Sequence, residues 1–317
     1  MILVTGSLGQ IGIDLIKELV SIHGTDQIVA TDVRQPQTGQ LHGVPFELLD
    51  VTDPAAVKAI LSKHTFDTVY HLAGILSARG EENPDLCWKV NVEGLEHMLK
   101  EGRSQHFRMF WPSSIAVFGP TTQKIDTPQT ATTDPSTMYG VSKTSGELLC
   151  RYYYQKFDVD VRSIRFPGVI SHASPPGGGT TDWAVDMFFQ ALKSGSYTCF
   201  VTESTRLPMM YMPDAVKSIL DVMEAPAEAI TVRSSYNLTA FSFSAGELAR
   251  AIQERIPEFV CSYQPDFRQD IADTWPKSID DSLARSDWNW NPEFDLESMV
   301  TEMLSAIRLK PGFSPMK

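Results

Sequence analysis

The chain has 317 residues, of which 42% are hydrophobic and 21% are charged, and its formal net charge is −12. This length allows one large core or one domain with a smaller lobe. The negative charge argues against nucleic acid or an anionic membrane as the main partner, because both are polyanions.

The composition also bears on location and on metals. No apolar run is long enough to cross a bilayer, and the opening tract MILVTGSLG lacks the pattern of a signal peptide, so we expect a cytoplasmic protein. The four cysteines form no CxxC pair and the seven histidines form no HxxH or HExxH pattern. We therefore expect reduced, mostly buried thiols and no metal site.

Strand and helix signals alternate in the first half of the chain. The predicted strands span residues 2–5, 27–31, 68–72, 108–111 and 161–166, and the predicted helices span 11–22, 53–64, 84–101 and 138–157. Repeated βα units imply an α/β fold, a Rossmann-type doubly wound parallel sheet with helices on both faces.

The alternation becomes irregular in the second half. Residues 174–182 are rich in Pro and Gly and are typical of a loop. Helices are predicted at 183–194, 213–224, 244–256 and 296–307, and short strands at 197–201 and 235–238. We expect one domain over residues 1–170, built on the parallel sheet, and over 171–317 mainly a smaller lobe that is interleaved with the last strands of the sheet.

The tract TGSLGQIG places Gly6, Gly9 and Gly12 between the first strand and the first helix. Glycines here permit a tight turn and a close approach to a pyrophosphate, which the helix N-terminus attracts. Asp32 ends the second strand, where a carboxylate accepts hydrogen bonds from ribose hydroxyls and repels a 2′-phosphate. The pattern predicts NAD, although Arg34 lies near enough to tolerate that phosphate. The alternative is a structural glycine turn with Asp32 as a helix cap.

Two further strand ends are predicted to meet the dinucleotide. Asp50 and Val51 close the third strand region, where an acidic side chain can meet the adenine amino group. Leu72, Ala73 and Gly74 end the fourth strand, where small residues let the backbone pass close to a cofactor. The alternatives are a turn aspartate and an ordinary strand terminus.

Tyr139 and Lys143 form a YxxxK pair, whose side chains share one face of a helix. An ammonium near a phenol favours the phenolate, so we expect a lowered tyrosine pKa and a general base near neutral pH. Ser113 and Ser114 end a strand upstream, where a hydroxyl can hold a substrate oxygen. The alternatives are a packed tyrosine with an exposed lysine, and serines that cap a turn.

In this order, TGxxGxxG, a strand-end serine and YxxxK resemble the extended short-chain dehydrogenase/reductase family, and SSIAVFG resembles the serine segment of its UDP-galactose epimerase branch. The resemblance implies that Ser114, Tyr139 and Lys143 are catalytic. It also implies that Asn91, in KVNVEG, is the helix asparagine that supports the site. The cofactor-binding residues are then predicted as Gly6, Leu8, Gly9, Gln10, Ile11, Gly12, Asp32, Arg34, Asp50, Val51, Leu72, Ala73, Gly74, Asn91, Tyr139, Lys143 and Phe166.

Five tracts are similar to the short-chain type of L-threonine 3-dehydrogenase: PSSIAVFGP, RFPGVIS, PGGGTTDWAVDMFFQAL, LPMMYMPDAV and DTWPKSIDDSLARSDWNW. This resemblance implies oxidation of L-threonine by NAD to L-2-amino-3-oxobutanoate, with Tyr139 as base and Ser114 holding the β-oxygen. Many members carry threonine at the Ser114 position, and serine keeps the hydroxyl. The family tends to form dimers, so we expect a homodimer, with the Tyr139 helix as its interface.

The substrate is an amino-acid zwitterion, which requires groups for its ammonium and carboxylate. Thr180, Thr181 and Asp182 are predicted to supply them, and Ser77 can reach the carboxylate. The alternatives are a flexible loop with Asp182 as a helix cap, and an exposed loop serine.

Trp275 and Arg206 are weaker candidates for substrate contact, since they are more typical of packing and of a surface charge. The methionine-rich stretch 209–212 is expected to lie in the core or at the lobe interface.

Two other functions remain open at this point. A UDP-sugar epimerase or dehydratase would use the same tyrosine and lysine, but residues 174–182 contain no Lys or Arg for a diphosphate. A non-catalytic NAD sensor would commonly lack the intact tyrosine–lysine pair.

Overall fold

The structure is a computed structural model that describes residues 1–173, 179–310 and 313. Its strands are β1 Ile2–Thr5, β2 Ile28–Asp32, β3 Phe46–Leu48, β4 Thr68–His71, β5 Arg108–Ser114, β6 Val161–Phe166, β7 Gly168–Ile170, β8 Ser196–Cys199, β9 Arg206–Tyr211, β10 Tyr236–Asn237, β11 Phe241–Ser244 and β12 Val260–Tyr263.

The helices alternate with these strands in the first half of the chain and dominate the second. They are α1 Gln10–His23, α2 Pro54–Lys63, α3 Ser77–Glu82, α4 Pro84–Trp88, α5 Gly94–Gln105, α6 Met138–Phe157, α7 Trp183–Ser194, α8 Met212–Glu224, α9 Ala245–Gln253, α10 Phe267–Asp273, α11 Ser282–Trp288 and α12 Leu296–Arg308.

Seven strands form the main sheet in the order β10-β6-β5-β4-β1-β2-β3, and every pair in it is parallel. The predicted doubly wound α/β fold is thereby confirmed. Strand order reverses between β1 and β4, so the glycine turn after β1 opens at the crevice where such sheets bind ligands.

The predicted end of the fifth strand at Trp111 is wrong, because β5 continues through Pro112 to Ser114. The ladder between β4 and β5 stops at Phe110, whereas β6 pairs with β5 as far as Ser114. Beyond Phe110 one side of β5 therefore has no strand partner in the ladder, and a proline is tolerated there.

The predicted helix 84–101 is interrupted. It consists of α4, a π-helical turn at Lys89–Glu93, and α5. Asn91 lies within this turn and is buried. Such bulges are frequent at functional sites, because the widened turn redirects one side chain.

The second half contributes more to the sheets than its sequence predicts. β10, predicted at 235–238, is the edge strand of the main sheet beside β6. Two small sheets, β11-β9-β7 and β12-β8, lie outside it, and β7, β9, β11 and β12 were not predicted. The sequence of β9 (RLPMMY) contains a proline and no regular alternation, so its pairing as a strand became visible only in the fold.

Three apolar clusters form the core. Two of them, around Leu15 and Ile219 and around Leu99 and Val161, pack against the main sheet, and the third, around Trp183 and Phe243, lies in the second half. Residues 209–212 are fully or almost fully buried, which confirms that the methionine-rich stretch belongs to the core.

All four cysteines are free thiols; Cys87, Cys150 and Cys199 are buried and Cys261 is half-buried. Among the described residues, no helix has the length and apolar character needed to span a membrane. Within the same residues, no group of three or more His, Cys, Asp or Glu side chains is placed to hold a metal ion.

Candidate active site

The glycine turn packs directly on the end of β4. Gly6 has φ +65°, and a Cβ there would lie 2.6 Å from Ala73 N and 2.7 Å from the Leu72 carbonyl carbon. A Cβ at Gly12 would lie 2.6 Å from Gly6 O. The turn therefore excludes side chains and leaves a backbone cradle at the start of α1, which fits the pyrophosphate of a dinucleotide.

Asp32 ends β2, as predicted, and is buried. Its Oδ2 accepts a hydrogen bond from Leu8 N at 3.1 Å, and its Oδ1 accepts from Arg34 N at 3.1 Å and from Arg34 Nε at 3.2 Å. The carboxylate thus holds both the glycine turn and the arginine. Because Arg34 is paired with the Asp32 carboxylate, its charge is partly neutralised. This favours a ribose with free hydroxyls over one with a 2′-phosphate at this position.

Gln10 and Ile11 begin α1 behind this turn. Asp50 is exposed, and its Oδ1 accepts hydrogen bonds from Thr52 N and Oγ1 at 2.9 and 2.8 Å, as a turn aspartate does. Val51 is buried, and its carbonyl lies 2.9 Å from His97 Nδ1.

Phe166 is also buried, with its ring edge-to-face on Phe110. Its side chain belongs to the core cluster around Leu15 and Ile219.

Asn91 secures the segment that follows β4. Its Oδ1 accepts from Ile75 N at 2.7 Å, and its Nδ2 donates to Ile75 O at 3.1 Å and to Ser142 Oγ at 3.0 Å. Gly74 lies against the Asn91 Oδ1 atom. These hydrogen bonds indicate how Asn91 can support the site: its side chain joins the Leu72–Ile75 backbone to α6.

His71 and Thr5 join the ends of β4 and β1 beneath the turn. Thr5 Oγ1 lies 2.8 Å from His71 Nδ1 and accepts a hydrogen bond from Ala73 N at 3.4 Å. Complete burial lowers the pKa of His71 to about 3, with the Lys143 charge as a smaller cause, so the imidazole is neutral. The sequence interpretation missed this pair, although a histidine inside an apolar strand was a signal.

Tyr139 and Lys143 lie on the first two turns of α6, whose N-terminus is capped by Thr137. Two glycines bring this helix close to β5: a Cβ at Gly140 would lie 2.2 Å from Ala116 O, and one at Gly146 would lie 2.3 Å from the Trp111 ring. This close packing places Tyr139 beside the end of β5, where the Ser114 hydroxyl lies close enough to lower the pKa of the phenol. The Ser114 hydroxyl also caps the following turn by accepting from Ala116 N at 3.2 Å.

The prediction that the Tyr139 pKa is lowered is wrong for the protein alone, because its own groups together raise this pKa. Burial raises the pKa of Tyr139 to about 12 and outweighs the neighbouring Ser114 hydroxyl, which lowers it. Lys143 Nζ lies 5.6 Å from the Tyr139 ring centroid and donates to Pro112 O at 2.7 Å. Burial also lowers the pKa of Lys143 to about 8, so its charge is itself weakened.

The predicted substrate residues lie around the same strand ends. Ser77 is buried at the start of α3, and that helix packs on Tyr139, since a Cβ at Gly80 would lie 3.6 Å from Tyr139 Cβ. Thr180 is buried, and Thr181 lies against Gly168, just after β6.

Asp182 precedes α7 but does not cap it with its side chain; its Oδ2 accepts from Gly179 N at 2.7 Å. Residues 174–178 of the predicted substrate loop lie outside the described residues.

The weaker candidates have structural roles in the described chain. Trp275 is buried in the cluster around Trp183, and Arg206 pairs with Glu247 and donates to Ser242 O at 2.6 Å.

The sequence interpretation also missed a buried ion pair beneath the site. Glu147 of α6 and Arg165 of β6 are joined at 2.7 Å, and both are almost fully buried. Two signals were available: Glu147 follows Lys143 by one helical turn, and Arg165 is a charged residue inside an apolar strand.

The model of the NAD dependent epimerase/dehydratase family matches residues 2–238. An uncharacterized epimerase/dehydratase from Staphylococcus haemolyticus is 46% identical over 98% of this chain and 98% of its own length.

Two solved structures are similar over nearly their whole length. L-Threonine dehydrogenase from Phytophthora infestans is 48% identical, with a TM-score of 0.93 over 97% of this chain and 98% of that one. A monomeric L-threonine 3-dehydrogenase from a metagenome is 48% identical, with a TM-score of 0.94 over 98% and 99% of the two chains.

Proposed function

Because this chain belongs to the NAD-dependent epimerase/dehydratase family, we propose that it is an L-threonine 3-dehydrogenase. It oxidises the β-hydroxyl of L-threonine with NAD and releases L-2-amino-3-oxobutanoate, NADH and a proton. The observation that carries the proposal is similarity to L-threonine dehydrogenases at 48% identity over 97–98% of the chain, which reaches well beyond the family match at residues 2–238.

Tyr139 is the general base in this reaction. Its phenolate takes the proton of the substrate β-hydroxyl while the Ser114 hydroxyl donates a hydrogen bond to the same oxygen. Bound NAD supplies the acceptor for the hydrogen and electron pair that leave Cβ, and its positive charge favours the phenolate.

Lys143 has two tasks near this base. Its ammonium lies between the Trp111 ring, at 4.6 Å, and the Pro112 carbonyl. From there it adds positive charge beside Tyr139 and donates to a cofactor ribose. Gly6, Gly9, Gly12 and Asp32 hold the rest of the dinucleotide.

The zwitterion is held by Ser77, Thr180, Thr181 and Asp182. Ser77 and Thr180 are both buried, and each hydroxyl can donate one hydrogen bond to a carboxylate. Asp182 offers a carboxylate to the ammonium group. On this basis residues 1–170 bind the cofactor and residues 171–317 mainly bind the substrate. We further propose that the enzyme is cytoplasmic.

A UDP-sugar epimerase or dehydratase is the second candidate, favoured by the description of the staphylococcal relative as an epimerase/dehydratase. It would need groups for a diphosphate, and residues 174–182 supply no Lys or Arg. A non-catalytic NAD sensor is disfavoured by the intact Tyr139–Lys143 pair.

The test is NADH formation from NAD with free L-threonine and, separately, with UDP-sugars. We expect steady NADH production with L-threonine. Tyr139→Phe should reduce kcat by at least about 100-fold while its NAD affinity, measured by calorimetry, stays within a few fold. NADH production with a sugar nucleotide and not with threonine would contradict the proposal.

A further inference from the structure

A buried carboxylate lies one helical turn beyond the proposed catalytic lysine. Glu147 is 3% exposed and receives two parallel hydrogen bonds from Arg165, from Nε to Oε1 at 2.9 Å and from Nη2 to Oε2 at 2.7 Å. This bidentate geometry fixes both side chains and therefore the separation of α6 from β6.

The same carboxylate holds the strand that carries Ser114. The Ser113 hydroxyl donates to Glu147 Oε1 at 2.6 Å, and the preceding carbonyl, Pro112 O, accepts from Lys143 Nζ at 2.7 Å. Two successive residues of β5 are thus tied to the helix that carries Tyr139. The next residue is Ser114, whose hydroxyl lies close enough to the Tyr139 phenol to lower its pKa.

Arg165 is anchored on its other side as well. Its Nη1 donates to Asn237 Oδ1 at 3.0 Å and to Gln129 O at 3.1 Å. Asn237 Nδ2 in turn donates to Thr127 O at 3.0 Å and to Asp280 O at 3.3 Å. The pair is therefore held by backbone groups of several segments and has little freedom to shift.

Stability alone does not explain such an arrangement, because a buried ion pair is often no more stabilising than apolar residues of the same size. Its particular property is a fixed geometry. We infer that Ser113, Glu147 and Arg165 form a positioning clamp that holds the end of β5 against α6 and so sets the contact between the Ser114 hydroxyl and the Tyr139 phenol. The inference rests on the proposed catalytic roles of those two groups.

Ser113→Ala is the least disruptive test, since it removes one hydrogen bond and leaves the ion pair intact. We expect kcat to fall by about tenfold, because reacting groups lose rate steeply when they are misplaced. KM for threonine and the Kd for NADH should stay within twofold. The primary isotope effect with L-threonine deuterated at Cβ should increase, because the chemical step becomes more rate-limiting.

Ser163→Ala is the matched control. Ser163 is buried in the adjacent strand β6, and its hydroxyl bonds to the Ser235 hydroxyl at 2.5 Å rather than to α6. It should keep kcat and the isotope effect of the unmodified enzyme. If kcat of Ser163→Ala also fell tenfold, the loss would be a general effect of removing a buried hydroxyl, and the clamp would be overturned.

A crystal structure of Ser113→Ala gives a readout that needs no substrate. The distance between Ser114 Oγ and Tyr139 Oη should increase by more than about 0.5 Å, the tolerance of a catalytic site. An unchanged distance, or an unchanged kcat, overturns the clamp. Failure of the unmodified protein to oxidise threonine would instead overturn the proposed function, and the distance would still decide about the clamp.

Discussion

Burial drives Tyr139 and Lys143 toward their neutral forms. It raises the pKa of the phenol to about 12 and lowers the pKa of the ammonium to about 8. A general base that works near neutral pH needs the opposite for the phenol. The added positive charge of an oxidised nicotinamide is the physical factor that can provide it, so base activation should depend on cofactor binding.

The burial of Lys143 has a consequence for stability. Its pKa in the folded protein, about 8, lies below the ordinary 10.5, so between these pH values the unfolded chain binds more protons. The contribution of Lys143 to the stability of the fold therefore rises with pH between these two pKa values, and it is lowest at a pH below both of them. Lys143→Met should be inactive, yet more stable than the unmodified protein at pH 7, by up to about 3 kcal/mol.

The measurement is thermal unfolding of both proteins between pH 7 and pH 10.5. The stability difference should shrink as pH rises, because the lysine becomes neutral. Lys100→Met is the control, since Lys100 is exposed and its ion pair with Glu96 raises its pKa. The difference in stability between Lys100→Met and the unmodified protein should stay constant up to about pH 10. A constant difference for Lys143→Met would contradict the prediction.

At the scale of elements, α6 is the part on which the site depends. It carries Tyr139 and Lys143 on its first two turns, and Gly140 and Gly146 allow it to lie against β5 and the turn that follows. Glycine lowers helix propensity, so close packing is the reason for these residues inside a helix. The helix gives up local stability to bring its side chains within reach of Ser114.

Gly146→Ala tests this close packing. The new Cβ would lie 2.3 Å from Trp111 Cη2, and Trp111 is the ring beside Lys143 Nζ. Stability should therefore fall by about 1–3 kcal/mol, although alanine favours a helix by about 1 kcal/mol. Threonine turnover should fall as well.

Urea unfolding and steady-state kinetics measure both effects. Ser145→Ala, at a half-buried position on the same helix, is the control and should leave stability equal or slightly higher. If Gly146→Ala proved as stable and active as Ser145→Ala, the packing argument would be wrong.

At the scale of the whole molecule, α6 also presents an apolar stripe to the outside. Val141, Leu148 and Tyr152 are 38%, 51% and 52% exposed and lie on one face of the helix. Leu86 and Trp88 of the neighbouring α4 are also exposed, at 43% and 38%. Such a patch supports the homodimer predicted from the sequence, although one similar enzyme is described as monomeric.

Leu148→Glu should prevent formation of the predicted homodimer, since a carboxylate placed in this apolar patch would be left without a partner on association. Light scattering coupled to gel filtration measures the mass. Ile22→Glu on α1, where the side chain is 51% exposed, is the control and should leave the dimer intact. A monomeric unmodified protein at micromolar concentration would refute the homodimer.

The sequence by itself determined the parts of this protein that depend on local rules. The glycine turn, Asp32 at a strand end, the helix of Tyr139 and Lys143, and the parallel α/β fold each follow from spacing and residue type. Family resemblance added threonine as substrate. Ser113 and Ser114 were identified as candidates from the sequence, although the predicted strand ended at Trp111 and β5 continues to Ser114.

Tertiary structure decided what depends on distant residues meeting. The pKa of Tyr139 is set by burial, which no spacing reveals, and Glu147 meets Arg165 only because α6 lies across β5 and β6. β10 becomes an edge strand of the main sheet by pairing with the distant β6, Tyr236 opposite Ile164. These features arise from long-range packing and desolvation, whereas sequence patterns report the preferences of neighbouring residues.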